Sequence, residues 1–298
     1  MKTANCLSIN GGGVKGLIAL HQIQYIYEKL GPKFFRAFDY IGGTSTGALI
    51  TALLAKGLTP KEIIDIYEEE LPKIFDKRFC AVLQGKSKYS NQYLKGLATN
   101  LLGNTKLGDL TQKIIIPTVN TSKRETKIFK SHDPKDAEYR LVDVIIASSA
   151  APNYFPAYQI GNDWYKDGGL SSNNPADILL TECEGGFDET NILSITTGTL
   201  PDAVTKAEKK GSILSIPEMI DEVLYLQDMK THGTVSTRYK KGIVKGLYER
   251  CESVIMHSTG EIDDVSKSNI ANMKLDGILS VTNNRTKLDK FYLKLRTT

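Results

Sequence analysis

Twice in the first fifty residues a short apolar run breaks on glycines and passes straight into a helical pattern. Residues 6–9 read as a buried strand and run into Gly11-Gly12-Gly13. Leu17, Leu20, Ile23, Tyr27 and Leu30 then recur at helical spacing. Residues 38–41 read as a second strand that runs into Gly42-Gly43, and an apolar helix follows from Thr46 to Ala55. Such alternation of strand and helix implies an α/β fold, a three-layer α/β/α arrangement around a mainly parallel sheet.

The rest of the chain extends the pattern. Gly31-Pro32 stops the first helix. Thr59-Pro60-Lys61-Glu62 is a capping box with proline at the first helical position, so another helix starts there. Strands are expected at 114–119, 126–129 and 191–196, and a helix at 141–147. Residues 157–160 and 164–166 flank Gly161-Asn162-Asp163 as a hairpin. Beyond residue 200 the character changes, with a charged stretch around Lys209 and helices expected at 217–230 and 284–295. Residues 1–200 therefore read as the core of the chain. Residues 201–298 read as a helical extension packed on it.

Composition excludes several classes. With 41% hydrophobic and 24% charged residues in 298, the chain can build a sizeable core. A net charge of +4 gives no case for a nucleic-acid partner, though it tolerates an anionic surface. Cys6, Cys80, Cys183 and Cys251 lie far apart, with neither zinc spacing nor a disulfide framework, so no metal is expected and a reduced, cytoplasmic setting fits. No apolar signal core leads the chain, and no run approaches the ~20 apolar residues of a membrane span. The sequons at Asn120 and Asn284 carry little weight in that setting.

Three constellations carry chemistry. Gly11-Gly12-Gly13-Val14-Lys15-Gly16 lets the backbone turn sharply and aims amides outward at a helix N-terminus. Gly11, Gly13 and Gly16 satisfy GxGxxG, but the acid expected at the end of the second strand is missing, for Gly42-Gly43 stands there. Leu17 and Ile18 stand where a phosphate loop needs Lys and Ser or Thr. An anion site and a plain packing turn both stay open. The second constellation, Gly43-Thr44-Ser45-Thr46-Gly47, is a GxSxG between strand and helix. That is the setting of an exposed nucleophile, with Gly43 and Gly47 keeping the turn free of clashes. None of the four histidines, at 21, 132, 232 and 257, is marked as its base. The third, Asp167-Gly168-Gly169, reads as a turn or as a carboxylate base. A free carboxyl of pKa ~3.9 is a weak base, so burial would have to raise it or an oxyanion site would have to do most of the work.

In this order the three pieces resemble the patatin-like phospholipase family, whose pattern is a glycine-rich loop with a basic residue, GxSxG, and a later Asp-Gly-Gly or Asp-Gly-Ala. Residues 148–156 (SSAAPNYFP), Asn173-Asn174-Pro175, and Ile262-Asp263-Asp264-Val265 also look like the family, and the likeness covers most of residues 6–200. The resemblance implies Ser45 as nucleophile and Asp167 as its base, a dyad without histidine. It implies an oxyanion hole from the amides of Gly11, Gly12 and Gly13, with Lys15, Gly168 and Gly169 in support. The implied reaction is cleavage of a phospholipid or related acyl ester through an acyl-enzyme, without cofactor. Two positions depart from the pattern. Asn10 stands where Asp is frequent, and Lys15 where Arg is usual. Lysine cannot reproduce a planar bidentate contact.

A lipid hydrolase must meet an interface. Phe75, Phe79, Val82 and Leu83 lie among Lys73, Lys77, Arg78, Lys86 and Lys88, so residues 72–90 read either as a core-facing helix end with a solvated charged rim or as the border of an acyl pocket suited to a peripheral membrane surface. Such an enzyme endangers its own membranes, which implies control by an activating ligand or partner. Three alternatives remain at this level: a nucleotide-binding protein using the glycine-rich loop, a scaffold of this type with little catalysis, and an ordinary serine esterase with His132, His232 or His257 as its base.

Overall fold

A computed structural model describes residues 1–76, 87–201 and 216–296. The strands are β1 (Thr3–Ile9), β2 (Tyr40–Gly43), β3 (Lys113–Asn120), β4 (Glu125–Lys130), β5 (Tyr158–Ile160), β6 (Asp163–Asp167), β7 (Glu189–Ile195) and β8 (Tyr248–Cys251). The helices are α1 (Gly16–Leu30), α2 (Phe34–Ala37), α3 (Thr46–Ala55), α4 (Pro60–Ile74), α5 (Asn91–Leu102), α6 (Leu141–Ser148), α7 (Gly169–Ser172), α8 (Ala176–Cys183), α9 (Ile216–Lys240) and α10 (Lys267–Leu295).

One eight-stranded sheet runs in the order β5-β6-β3-β2-β1-β7-β8, with β4 on the other edge of β3. The strands from β3 through β8 in that order are parallel, and β4, β5 and β6 add antiparallel pairs. Alternate residues serve opposite layers. Leu7, Ile9, Ile41, Ile114, Ile116, Leu193 and Ile195 join the larger core with α1, α3, α4 and α6. Cys6, Tyr40, Ile115 and Ile192 join the smaller one under α8 and α9. A sheet covered on both faces needs such two-sided apolar strands. The capping box expected at Thr59 is present, its side chain accepting from the Glu62 N–H and Pro60 opening α4. Among the described residues no helix is long and apolar enough to cross a membrane.

Three differences from the sequence reading have physical causes. β2 is displaced by two residues, because Phe38 turns into the core against Phe34 (5.4 Å) and stacks on Phe291 (6.3 Å). α10 begins seventeen residues before 284, the start expected from sequence. It passes Gly277 and Asn284, which look like breakers but serve packing. A Cβ on Gly277 would lie 2.6 Å from the His21 ring of α1, so the glycine lets the helices cross closely. The Asn284 amide donates to Glu252 O at 2.6 Å and is buried, as is Asn120. Finally, the C-terminal part supplies a strand as well as helices: β8 pairs in parallel with β7.

Candidate active site

β2 leads through Thr44 into Ser45, which sits at φ 54°, ψ −117° immediately before α3. A non-glycine residue in this region is strained, and the surroundings must impose it. They do so by close backbone approach. A Cβ on Gly43 would lie 2.1 Å from Gly47 O, and one on Gly47 would lie 2.4 Å from Ile9 O. The Ser45 N–H donates to Ser148 Oγ (3.1 Å), which in turn donates to Pro117 O (2.8 Å). Thr44 Oγ1 donates to Ser172 O at 2.8 Å. Ser45 thus stands at the N-terminus of α3, where the helix dipole favours negative charge.

The sheet brings Asp167 to the same point. β2 pairs with β3 only along Lys113–Ile115. β6 takes up the same edge at Thr118, opposite Asp167, because β4 occupies the other edge. β2 and β6 therefore run head-on, and their ends, Ser45 and Asp167, meet across the gap left at Ile116 and Pro117. Asp167 is 4% exposed. Burial raises its carboxyl to about 6, against the opposing pull of hydrogen bonds from the Gly169 N–H and the Ser45 side chain. The Gly169 contact measures 2.7 Å. The Asp167 N–H donates to Ala150 O (3.0 Å) and the Gly168 N–H to Ser148 O (3.2 Å), so the turn of this Asp-Gly-Gly is held from behind by α6 and the residues after it.

The glycine-rich loop closes the site from a third side. A Cβ on Gly11 would lie 3.3 Å from Ser45 Cβ, which places the loop against the serine. Gly11 departs from the sequence expectation: its N–H already donates to Asn173 O at 3.2 Å, because the chain after α7 passes alongside. The Gly12 and Gly13 amides have no acceptor among the described residues. Lys15 lies one turn on, its N–H bonded to Gly12 O. Its side chain lines a small polar pocket with Asp221, whose carboxyl is raised by burial although the Lys15 charge acts to lower it. Asn10 is buried, and its side-chain oxygen has no donor among the described residues.

Ser45, Asp167 and Gly11 to Gly13 share one cleft of about 890 Å³, open mouth included. Its walls are apolar, with Leu49, Leu71, Phe75 and Leu94 from the α3–α5 side and Ile220 and Leu224 from α9. Phe75 lies in the segment expected to border an acyl pocket. Phe79, Val82, Leu83, Lys77, Arg78 and Lys86 fall outside the described residues. The histidines are engaged elsewhere: His21 with Leu17 O, His132 with Glu182, His232 with Tyr248 and His257 with Asp276. None lines the cleft. Sequence reasoning from residue chemistry alone missed Ser148, Asn173, Leu224 and Ile262. Ser148, Asn173 and Ile262 stood out only through the family likeness, and no local signal marks Leu224.

Similarity to known proteins follows the same geography. The family model described as patatin-like phospholipase matches residues 7–180. Patatin-like protein 1 of Arabidopsis thaliana is 31% identical over 256 residues, 69% of this chain and 60% of that protein. A cGAMP-activated phospholipase of Vibrio cholerae is 28% identical over 94% of this chain and 91% of its own length. One of Escherichia coli is 33% identical over 59% and 54%. The chain thus spans little more than half of several relatives. Among solved structures, VipD from Legionella pneumophila aligns over 94% of this chain and 67% of its own, with a TM-score of 0.46 and 14% identity.

Proposed function

The chain belongs to the patatin-like phospholipase family, and from that membership we propose that it is a phospholipase A or lysophospholipase working through a Ser45–Asp167 dyad. The observation that carries this is a buried carboxylate of raised pKa that shares the foot of an apolar cleft with a strained serine. Ser45 Oγ attacks the ester carbonyl carbon as its proton passes to Asp167. At a pKa near 6, Asp167 is ionised at neutral pH yet basic enough to share that proton. The Gly12 and Gly13 amides, backed by the N-terminus of α3, take the oxyanion. Collapse breaks the bond to the alcohol, which leaves with the proton from Asp167. Water, deprotonated by Asp167, then attacks the acyl-enzyme carbonyl; the bond to Ser45 Oγ breaks as Asp167 returns the proton to that oxygen, and the fatty acid is released.

The acyl chain lies in the apolar cleft, and the lipid is drawn from a membrane to which the protein binds peripherally on the cytoplasmic side. Two of the relatives described above are named for activation by cGAMP. We extend that to this chain as control by a ligand or partner. The test is incubation with mixed phospholipid vesicles, with and without cGAMP, and mass spectrometry of the lipid products. Fatty acid and lysolipid from the wild type, and none from Ser45→Ala, are expected. A wild type that releases neither under both conditions would overturn the proposal.

A further inference from the structure

We infer that Asp263 is a positioning residue for the oxyanion loop, tying Gly13 to the segment that also holds Ser45 and Asp167; the inference rests on the hydrolase reading of the same site. Gly13 adopts φ 58°, and a Cβ there would lie 2.1 Å from Ile262 O. The same carbonyl accepts the Val14 N–H at 3.0 Å. Ile262 therefore abuts the loop at the residue whose amide is assigned to the oxyanion, and its side chain lines the cleft.

The next residue fixes where Ile262 sits. Asp263 is 9% exposed. Its Oδ2 accepts from the Tyr89 hydroxyl at 2.5 Å and is ion-paired with the Lys88 ammonium. Burial, and then the bond to Asp263, push the Tyr89 phenol far up, so it remains a donor at every working pH. Lys88 and Tyr89 are pinned in turn, their N–H groups donating to Asn153 O and Tyr154 O at 2.8 Å each. Tyr89 packs edge-on to Phe75 (5.2 Å) and against Phe155 (5.7 Å), both of which line the cleft.

The 148–155 segment is thereby a common reference. Ser148 accepts the Ser45 N–H, Ala150 accepts the Asp167 N–H, and Asn153 and Tyr154 reach Gly13 through Lys88, Tyr89, Asp263 and Ile262. Nucleophile, base and oxyanion donor are set from one stretch of backbone. Without the Asp263 link, the Ile262 carbonyl against Gly13 would lose its tie to the 148–155 segment and keep only the anchors of Asp264, which accepts from Thr259, Ser266 and Asn269. An error of about 1 Å in such a donor costs on the order of 100-fold in rate.

The test uses the whole chain and Asp263→Asn, with Tyr89→Phe as the milder variant should Asp263→Asn fold poorly. Hydrolysis of p-nitrophenyl butyrate is expected to lose about 10- to 100-fold in kcat, with KM within about twofold. The double variant should be no worse than the weaker of the two single variants, since both break one link. Binding of a trifluoromethyl ketone, which forms an oxyanion on Ser45, should weaken in parallel. Unchanged kcat, additive losses or an effect on KM alone would overturn the inference. Amide exchange at Val14 decides it separately from catalysis: faster exchange in Asp263→Asn is expected, and unchanged exchange contradicts the link. A wild type with no esterase activity would instead sink the hydrolase reading.

Discussion

In the proposed mechanism the chemistry turns on the Asp167 carboxyl, and its environment sets two measurable consequences. Because burial raises it to about 6, activity as kcat/KM should climb with pH as the carboxylate forms, half-maximal near pH 6. A half-point near 4 would mean the site is wetter than its 4% exposure implies. The same rise works against the fold. In the unfolded chain the carboxyl ionises near 4, and in the native protein near 6, so stability falls as pH rises through that window. By pH 7 the loss is about 3 kcal/mol. Asp167→Asn should therefore raise the melting temperature by several degrees at pH 7 and by little below pH 4. Equal melting curves at both pH values would contradict this. At this scale the sequence singled out Ser45 between Gly43 and Gly47, whereas Asp167 stood open as a turn until the family likeness pointed to it. It was silent about Gly11, whose amide is engaged by a carbonyl 162 residues away.

Elements decide whether those residues meet. β2 and β6 share one edge of β3 and end against each other, a relation that follows from register. No motif encodes it, which is why residue chemistry alone left Asp167 open as a turn. The capping box at Thr59, the strands of the core and the 157–166 hairpin were legible because their signals are local. β8 was not: Tyr248-Glu249-Arg250-Cys251 has no apolar alternation, and its pairing with β7 together with a buried ion pair makes it a strand. Arg250 donates to both Asp228 oxygens, at 2.6 and 2.9 Å, tying β8 to α9. Asp228 also accepts from Asn174 at 2.9 Å, beside the residue that holds Gly11. Arg250→Met should cost about 3–5 kcal/mol in denaturant unfolding, because it strands a buried carboxylate. Adding Asp228→Leu should recover much of it. A loss under 1 kcal/mol would mean the pair is not buried in solution.

At the scale of the whole molecule, the division into a core of 1–200 and an extension of 201–298 conceals a dependence. α10 packs along α1, β8 extends the sheet, Leu224 walls the cleft and Ile262 abuts the glycine-rich loop. A chain ending at residue 200 should accordingly lose cooperative unfolding by calorimetry; a sharp transition near the parent's would show that the core stands alone. Length and composition could foretell a large core, but not that its C-terminal third completes the site, since those contacts span 50 to 260 residues of sequence. The central claim is that Ser45 and Asp167 form a dyad without histidine. Its most direct test is the kcat for p-nitrophenyl butyrate, with chelator present, in the wild type, Asp167→Asn, His132→Ala, His232→Ala and His257→Ala, all verified as folded. Loss of at least about 1,000-fold in Asp167→Asn, with each histidine variant within a few-fold of the wild type, is the predicted result. An active Asp167→Asn, or a histidine variant that abolishes turnover, would contradict it.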